Sequence, residues 1–166
     1  MPGDEKGGML RHFLAALAYR TQKALRDAPD DFGDFDAGNN VRTPRELVRH
    51  MTSVLGYART FFRGERYRPE PLDTLEEEVA RFHAMLGDLV EHLENRDPPS
   101  EVTPERLLQG PFSDAMTHSG QLAMLRRLHG SPVPSENFAF ADISPSNVGQ
   151  EQPPPRMPDA GWREVL

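Results

Sequence analysis

"FSDAMTHSGQLAMLRRLHGSP", Phe112 to Pro132, reads as a helix built on Ala, Met and Leu and closed by Gly130 and Pro132. Asp114 and His118 stand inside it, four residues apart. That spacing is about one helical turn, so the carboxylate and the imidazole stack on one face. Ala115 and Leu122 lie at i−3 and i+4 from His118 and set its ring in the apolar pattern. A buried imidazole without a partner is costly. Taken alone, the pair has an ordinary explanation, an edge carboxylate beside a satisfied core histidine.

Three more segments carry the same period. The first runs from Met9 to Leu25, with Leu10, Phe13, Leu14, Leu17 and Leu25 along one stripe. The second opens on "TPRE", in which Thr43 is the N-cap, Pro44 the first helical residue and Glu46 the partner in a capping box. Its stripe holds Leu47, Met51, Val54, Leu55, Ala58 and Phe62. The third opens on a second box, Thr74 to Glu77, and continues through Leu75, Val79, Phe82, Leu86, Leu89 and Leu93. Before the fourth, Thr103-Pro104 starts a short turn that Gly110-Pro111 interrupts. Strand signals are confined to a brief alternation in "ENFAFADI", Glu136 to Ile143. The expectation is an all-α protein, an up-down-type four-helix bundle in a single domain spanning 1–166, with the bundle over about 9–130.

The remainder, 131–166, holds seven of the sixteen prolines, so it cannot supply a bundle helix. Its aromatic content argues for a tail wrapped on the bundle, anchored by Phe138, Phe140, Ile143 and Trp162.

With 166 residues the chain can bury a substantial core. Its net charge of −7 argues against a nucleic-acid or anionic-membrane surface, though not against a small anion in a local basic pocket. The absence of cysteine removes disulfides, thiolate metal sites and cysteine nucleophiles. No apolar run approaches the ~20 residues of a membrane span. The opening "MPGDEKGGML" lacks the basic-then-apolar order of a signal peptide, so a cytoplasmic protein is expected.

Phosphate loops, dinucleotide fingerprints, H-E-x-x-H and G-x-S-x-G are missing. In the acidic loop 27–42, Asp30, Asp34 and Asp36 suggest calcium, but Gly38 stands where a third ligand belongs and no closing Glu follows. On helix two, His50 lies beside the stripe, with Leu47 at i−3 and Val54 at i+4. If helices two and four face each other, His50, Asp114 and His118 form a two-His-one-carboxylate set with open positions for water or substrate. Gln121, one turn beyond His118, is placed to orient that imidazole. His83, on the edge of the third stripe, reads first as packing and otherwise as support for the pocket. His12, His92 and His129 read as exposed or helix-end residues, the methionines as core filler, and Arg126 and Arg127 as a solvated face.

"RTPRELVRHM" and "DAMTHSGQLAMLRRLHGSPV" together resemble the DinB-like superfamily of metal-binding four-helix proteins, a group that includes thiol-dependent transferases and mycothiol-dependent maleylpyruvate isomerases. The resemblance covers about Phe13 to Ile143. It implies a bundle holding a divalent metal, nickel or zinc foremost, by one His on helix two and a His-x-x-x-His pair on helix four. His50 matches the first ligand and His118 the second member of the pair. Asp114 falls where the family has histidine, and a carboxylate there also admits manganese or iron. The implied activity is a metal-dependent transferase or hydrolase reaction on a small molecule, with a low-molecular-weight thiol as one candidate partner, in a homodimer. The alternative is a non-catalytic bundle for dimerisation or small-ligand binding, in which the three polar residues form a structural hydrogen-bonded cluster or the tail acts as a lid.

Overall fold

Two capping boxes fix the starts of the central helices. Thr43 Oγ1 accepts from the Glu46 backbone N–H while Glu46 Oε2 accepts from the Thr43 N–H, and Thr74 and Glu77 repeat the exchange. These groups come from a computed structural model, which describes residues 2–158. Its helices are α1 (Pro2–Leu25), α2 (Pro44–Arg63), α3 (Leu75–Glu94), the short α4 (Pro104–Leu107) and α5 (Ser113–Leu128). Among the described residues there is no strand, only an isolated bridge between Glu136 and Pro158. No helix there is long and apolar enough to cross a membrane.

Helix α1 starts at Pro2, ahead of the Met9 predicted from its stripe. The first turns contain Gly7 and Gly8, poor helix formers, and bury little, so periodicity does not reveal them. Lys6 on those turns pairs with Glu105 on α4 at 2.6 Å. The predicted interruption before α5 is present. Residues 108–112 form a wide turn, in which Gly110 leaves helical geometry at φ −94°, ψ −107°.

Each long helix packs on two others, in the ring order α1–α3–α2–α5. Leu14, Leu17, Met51, Leu55, Phe82, Leu86, Leu89 and Leu122 meet in the centre. Of the methionines, Met51 and Met85 fill core, while Met9 and Met124 are exposed.

The helices do not alternate up and down. α1 and α5 are parallel, since Arg126 at the end of α5 reaches the Ala24 carbonyl at the end of α1. α3 runs against α1, as Arg11–Glu94 and Gln22–His83 show. α2 runs beside α3 in the same sense, with Arg49–Glu78, Arg59–Asp88 and Arg63–His92 as rungs. The order is up, down, down, up, which corrects the expected up-down-type bundle. The eleven residues between Arg63 and Leu75 make this possible. They reach about 36 Å when extended, more than the ~30 Å length of a twenty-residue helix. On its way back the segment is pinned by Glu78, whose side chain is fully buried. Its Oε1 accepts from Leu72 N–H at 2.9 Å, and Arg81 and Arg49 pair with it.

The tail does wrap. Phe138 sets its ring edge-to-face on Tyr19, under the Arg20 guanidinium. Glu136 is buried against Tyr19 and Lys23, and Arg26 donates to the carbonyls of Gln152 and Pro153. Ile143 is half-buried. Phe140, expected as an anchor, is 57% exposed. Trp162 lies outside the described residues.

Arg126 is not on a solvated face. It is buried, and its guanidinium donates to the carbonyls of Ala24, Arg26 and Ser131 at 2.8–3.0 Å. The last carbonyls of α1 have no partner within their own helix, and Arg126 supplies one.

Candidate metal centre

The antiparallel contact of α2 with α5 sets His50 opposite the first two turns of α5. The His50 and His118 rings lie 4.8 Å apart, edge to face. Asp114 Oδ1 is 3.3 Å from His118 Nε2. One ligand atom from each of His50, Asp114 and His118 falls within 4.8 Å of the others, the one such group of His, Asp and Glu among the described residues. Ligands at about 2.1 Å from a tetrahedral ion stand roughly 3.4 Å apart, so the Asp114–His118 pair is already at ligating separation. The remaining separations, at most 4.8 Å, need to close to about 3.4 Å.

Gln121 Oε1 lies 2.8 Å from His118 Nδ1, and with the amide in this orientation Nδ1 carries the proton and donates it. A neutral His118 then turns its Nε2 lone pair towards the Asp114 carboxylate. Two acceptors 3.3 Å apart repel unless a proton or a metal ion lies between them. The environment of His50 favours the neutral, ligating form. Burial first, then the charges of Arg42 and His118, hold its pKa below the usual imidazole value, against the pull of Asp114. The burial of the three is graded: His118 is buried, His50 half-buried, and Asp114 open to solvent.

His50 and Asp114 form part of the wall of a cleft of about 750 Å³. Val54, Tyr57 and Pro111 supply its apolar side, Ser53 and Thr117 its hydroxyls. Of these, Ser53, Tyr57 and Thr117 stand outside the stripes, although Ser53 and Tyr57 sit three and seven residues beyond His50 on the same face of α2. The Gly110 turn brings Gln109 and Ser113 to the rim, which no periodicity announces.

The other histidines stand elsewhere. His83 is buried beneath the tail, with Nε2 3.0 Å from Gln22 and Nδ1 donating to the Val148 carbonyl at 2.7 Å. It packs, as its stripe position suggests, and makes no contact with His50, Asp114 or His118. His92 stacks on Phe62 and pairs with Asp97, and His129 pairs with Asp31. Asp34 pairs with Arg45 and Asp36 accepts from the Gly38 N–H, so the acidic loop spends its carboxylates locally.

No protein-family model, curated protein or solved structure matches the chain.

Proposed function

We propose that this chain is a DinB-like four-helix protein that holds one divalent metal ion through His50, Asp114 and His118 and acts on a small molecule as a metal-dependent transferase or hydrolase. The observation that carries this is the convergence of three ligand atoms from two helices, within 4.8 Å, at the wall of an open cleft. The donor set fits zinc or nickel, with manganese or iron also accommodated by the carboxylate. A bound ion would lower the pKa of a coordinated water or stabilise a thiolate. The chain itself contributes orientation. Gln121 holds the His118 ring, and Ser53 and Thr117 offer hydrogen bonds to a substrate whose apolar part rests on Val54 and Tyr57. With no cysteine present, a thiol nucleophile comes from a second, low-molecular-weight substrate. We place the protein in the cytoplasm as a homodimer.

Elemental analysis of protein purified without an affinity tag tests the site. Near-stoichiometric metal that disappears in His50→Ala and His118→Ala supports it. Metal-free protein whose melting temperature ignores added zinc, nickel and manganese sinks it. Turnover of an electrophile panel with several thiols tests the chemistry, and light scattering after gel filtration tests the dimer.

One feature favours the non-catalytic alternative. The Asp114–His118 contact closes without an ion when His118 is protonated on both nitrogens. In that case Asp114→Asn destabilises the metal-free protein, and the melting temperature of the parent does not rise with added zinc, nickel or manganese.

A further inference from the structure

The three aliphatic hydroxyls in the wall of the cleft beside His50 and Asp114 have their protons engaged. Ser53 Oγ donates to the Arg49 carbonyl at 3.1 Å, Ser113 Oγ to the Leu108 carbonyl at 2.6 Å, and Thr117 Oγ1 to the Asp114 carbonyl at 2.7 Å. A carbonyl oxygen has no proton to give, so each hydroxyl is the donor, and a hydroxyl has only one proton. Each therefore turns an oxygen lone pair to a ligand. Ser113 and Thr117 stand one turn apart on α5, and Ser53 lies across the cleft on α2. The wall contains no Lys or Arg, and its one acidic side chain is Asp114. Arg42 acts on the His50 ring but does not line the cleft. Beside the oxygens lies an apolar surface of Val54, Pro111 and Tyr57, whose ring is 57% exposed and packs edge-to-face on Phe61. An anion on this side of the cleft meets lone pairs and a carboxylate. A group rich in N–H donors meets acceptors on both helices.

We infer that the ligand of this cleft carries a primary ammonium group on a short apolar body. Its N–H donors go to the hydroxyl oxygens, and its body rests on Val54, Pro111 and Tyr57, whose aromatic face also favours a cation. This names the substrate class of the proposed function, and it rests on that reading in taking the cleft as the place where the substrate sits. The hydroxyls hold an ammonium without the ion, so metal and amine can be tested apart.

Benzylamine at neutral pH is the probe, added to the full chain while backbone amide resonances are followed. One sample is stripped of divalent metal with a chelator that is then dialysed away, and a second is loaded with zinc. The expected result is saturable shifts confined to residues 50–57 and 109–117 in both samples, with a Kd on the order of 1 mM. Benzyltrimethylammonium has the same charge and no N–H, and it binds more weakly by about tenfold. Benzoate does not bind the metal-free chain. Ser53→Ala/Thr117→Val keeps its melting temperature and weakens benzylamine binding by about tenfold; the probe series on the parent decides the question whether or not that variant folds. Four results overturn the inference: benzyltrimethylammonium or benzoate binding the metal-free chain as tightly as benzylamine, equal benzylamine binding in the double variant, shifts in only one of the two samples, or no saturable shift at concentrations on the order of 10 mM. A chain that takes up no zinc yet gives the expected benzylamine shifts overturns the metal centre alone and supports the ammonium site.

Discussion

Gln121 touches no ligand other than His118, and it decides which nitrogen of that ring faces His50 and Asp114. Partners of this kind are typically worth 10–100-fold in metal affinity. Gln121→Ala is therefore expected to weaken zinc binding by about that factor, while Gln121→Glu, which keeps the acceptor, stays close to the parent. Titration against a competing chromophoric chelator measures both, and an unchanged affinity in Gln121→Ala removes the orienting role. His83 offers a separate test, because its ring is buried and neutral. Burial holds its pKa below the usual value, against the opposing effect of the Val148 carbonyl. The unfolded imidazole titrates near 6.5 and the folded one lower, so between those values the unfolded chain binds more protons. Stability is then complete above about pH 6.5 and falls as the pH drops below it. His83→Gln should flatten the melting temperature below about pH 6.5, leaving the slope of the same sign that His50 contributes. A pH profile identical to the parent would show that His83 is not charging on unfolding.

At the scale of elements, the parallel pair α2 and α3 depends on the segment that returns between them. Gly56 faces that segment, and a Cβ there would run into the Tyr67 ring, on which Arg59 also rests. Gly56→Ala gains about 1 kcal/mol in helix propensity and loses about 1–3 kcal/mol to overpacking. The net expectation is destabilisation in urea unfolding, removed in Gly56→Ala/Tyr67→Ala, where the propensity gain survives and the clash does not. A simple sum of the two single effects would show that Tyr67 does not rest on Gly56. The starts of α2 and α3 are legible in the sequence because capping boxes are local chemistry, carried by Thr43, Glu46, Thr74 and Glu77. The stripes are legible because burial repeats with the helix. The direction of a helix is not, since a stripe reads the same for a parallel and an antiparallel neighbour. That is why up-down-down-up differs from expectation. His50, Asp114 and His118 could be paired from spacing on two helices, whereas Gln109 and Ser113 join the cleft through the Gly110 turn. Arg126 shows a further limit: an arginine that donates to a neighbouring helix end and one that faces water occupy the same register.

For the whole molecule, the question is what holds the proline-rich tail on the helices. Among the described residues, Phe138 rests on Tyr19, and the polar attachments are Glu136 on Tyr19 and Lys23, the Val148 carbonyl on His83, and the Gln152 and Pro153 carbonyls on Arg26. Of the polar attachments the first is the most deeply buried, with Glu136 and Lys23 side chains 0% and 9% exposed. Burial and, after it, the Glu136 carboxylate push the Tyr19 hydroxyl up to about 12. Removing one member of a buried pair strands the other and costs about 3–5 kcal/mol, while replacing both with apolar side chains is often nearly neutral. Glu136→Ala should therefore lower stability by about 3 kcal/mol and bring the Tyr19 titration back towards 10. Its hydrogen exchange should speed up across 137–158 and stay slow in α2, which makes none of these contacts. Lys23→Met/Glu136→Leu should recover most of the lost stability, because neither charge is left behind. Uniform exchange over the whole chain in Glu136→Ala would mean that tail and helices unfold as one unit. Exchange confined to 137–158 would mean that the tail is a separately attached strap, held at its first residues by a single buried carboxylate.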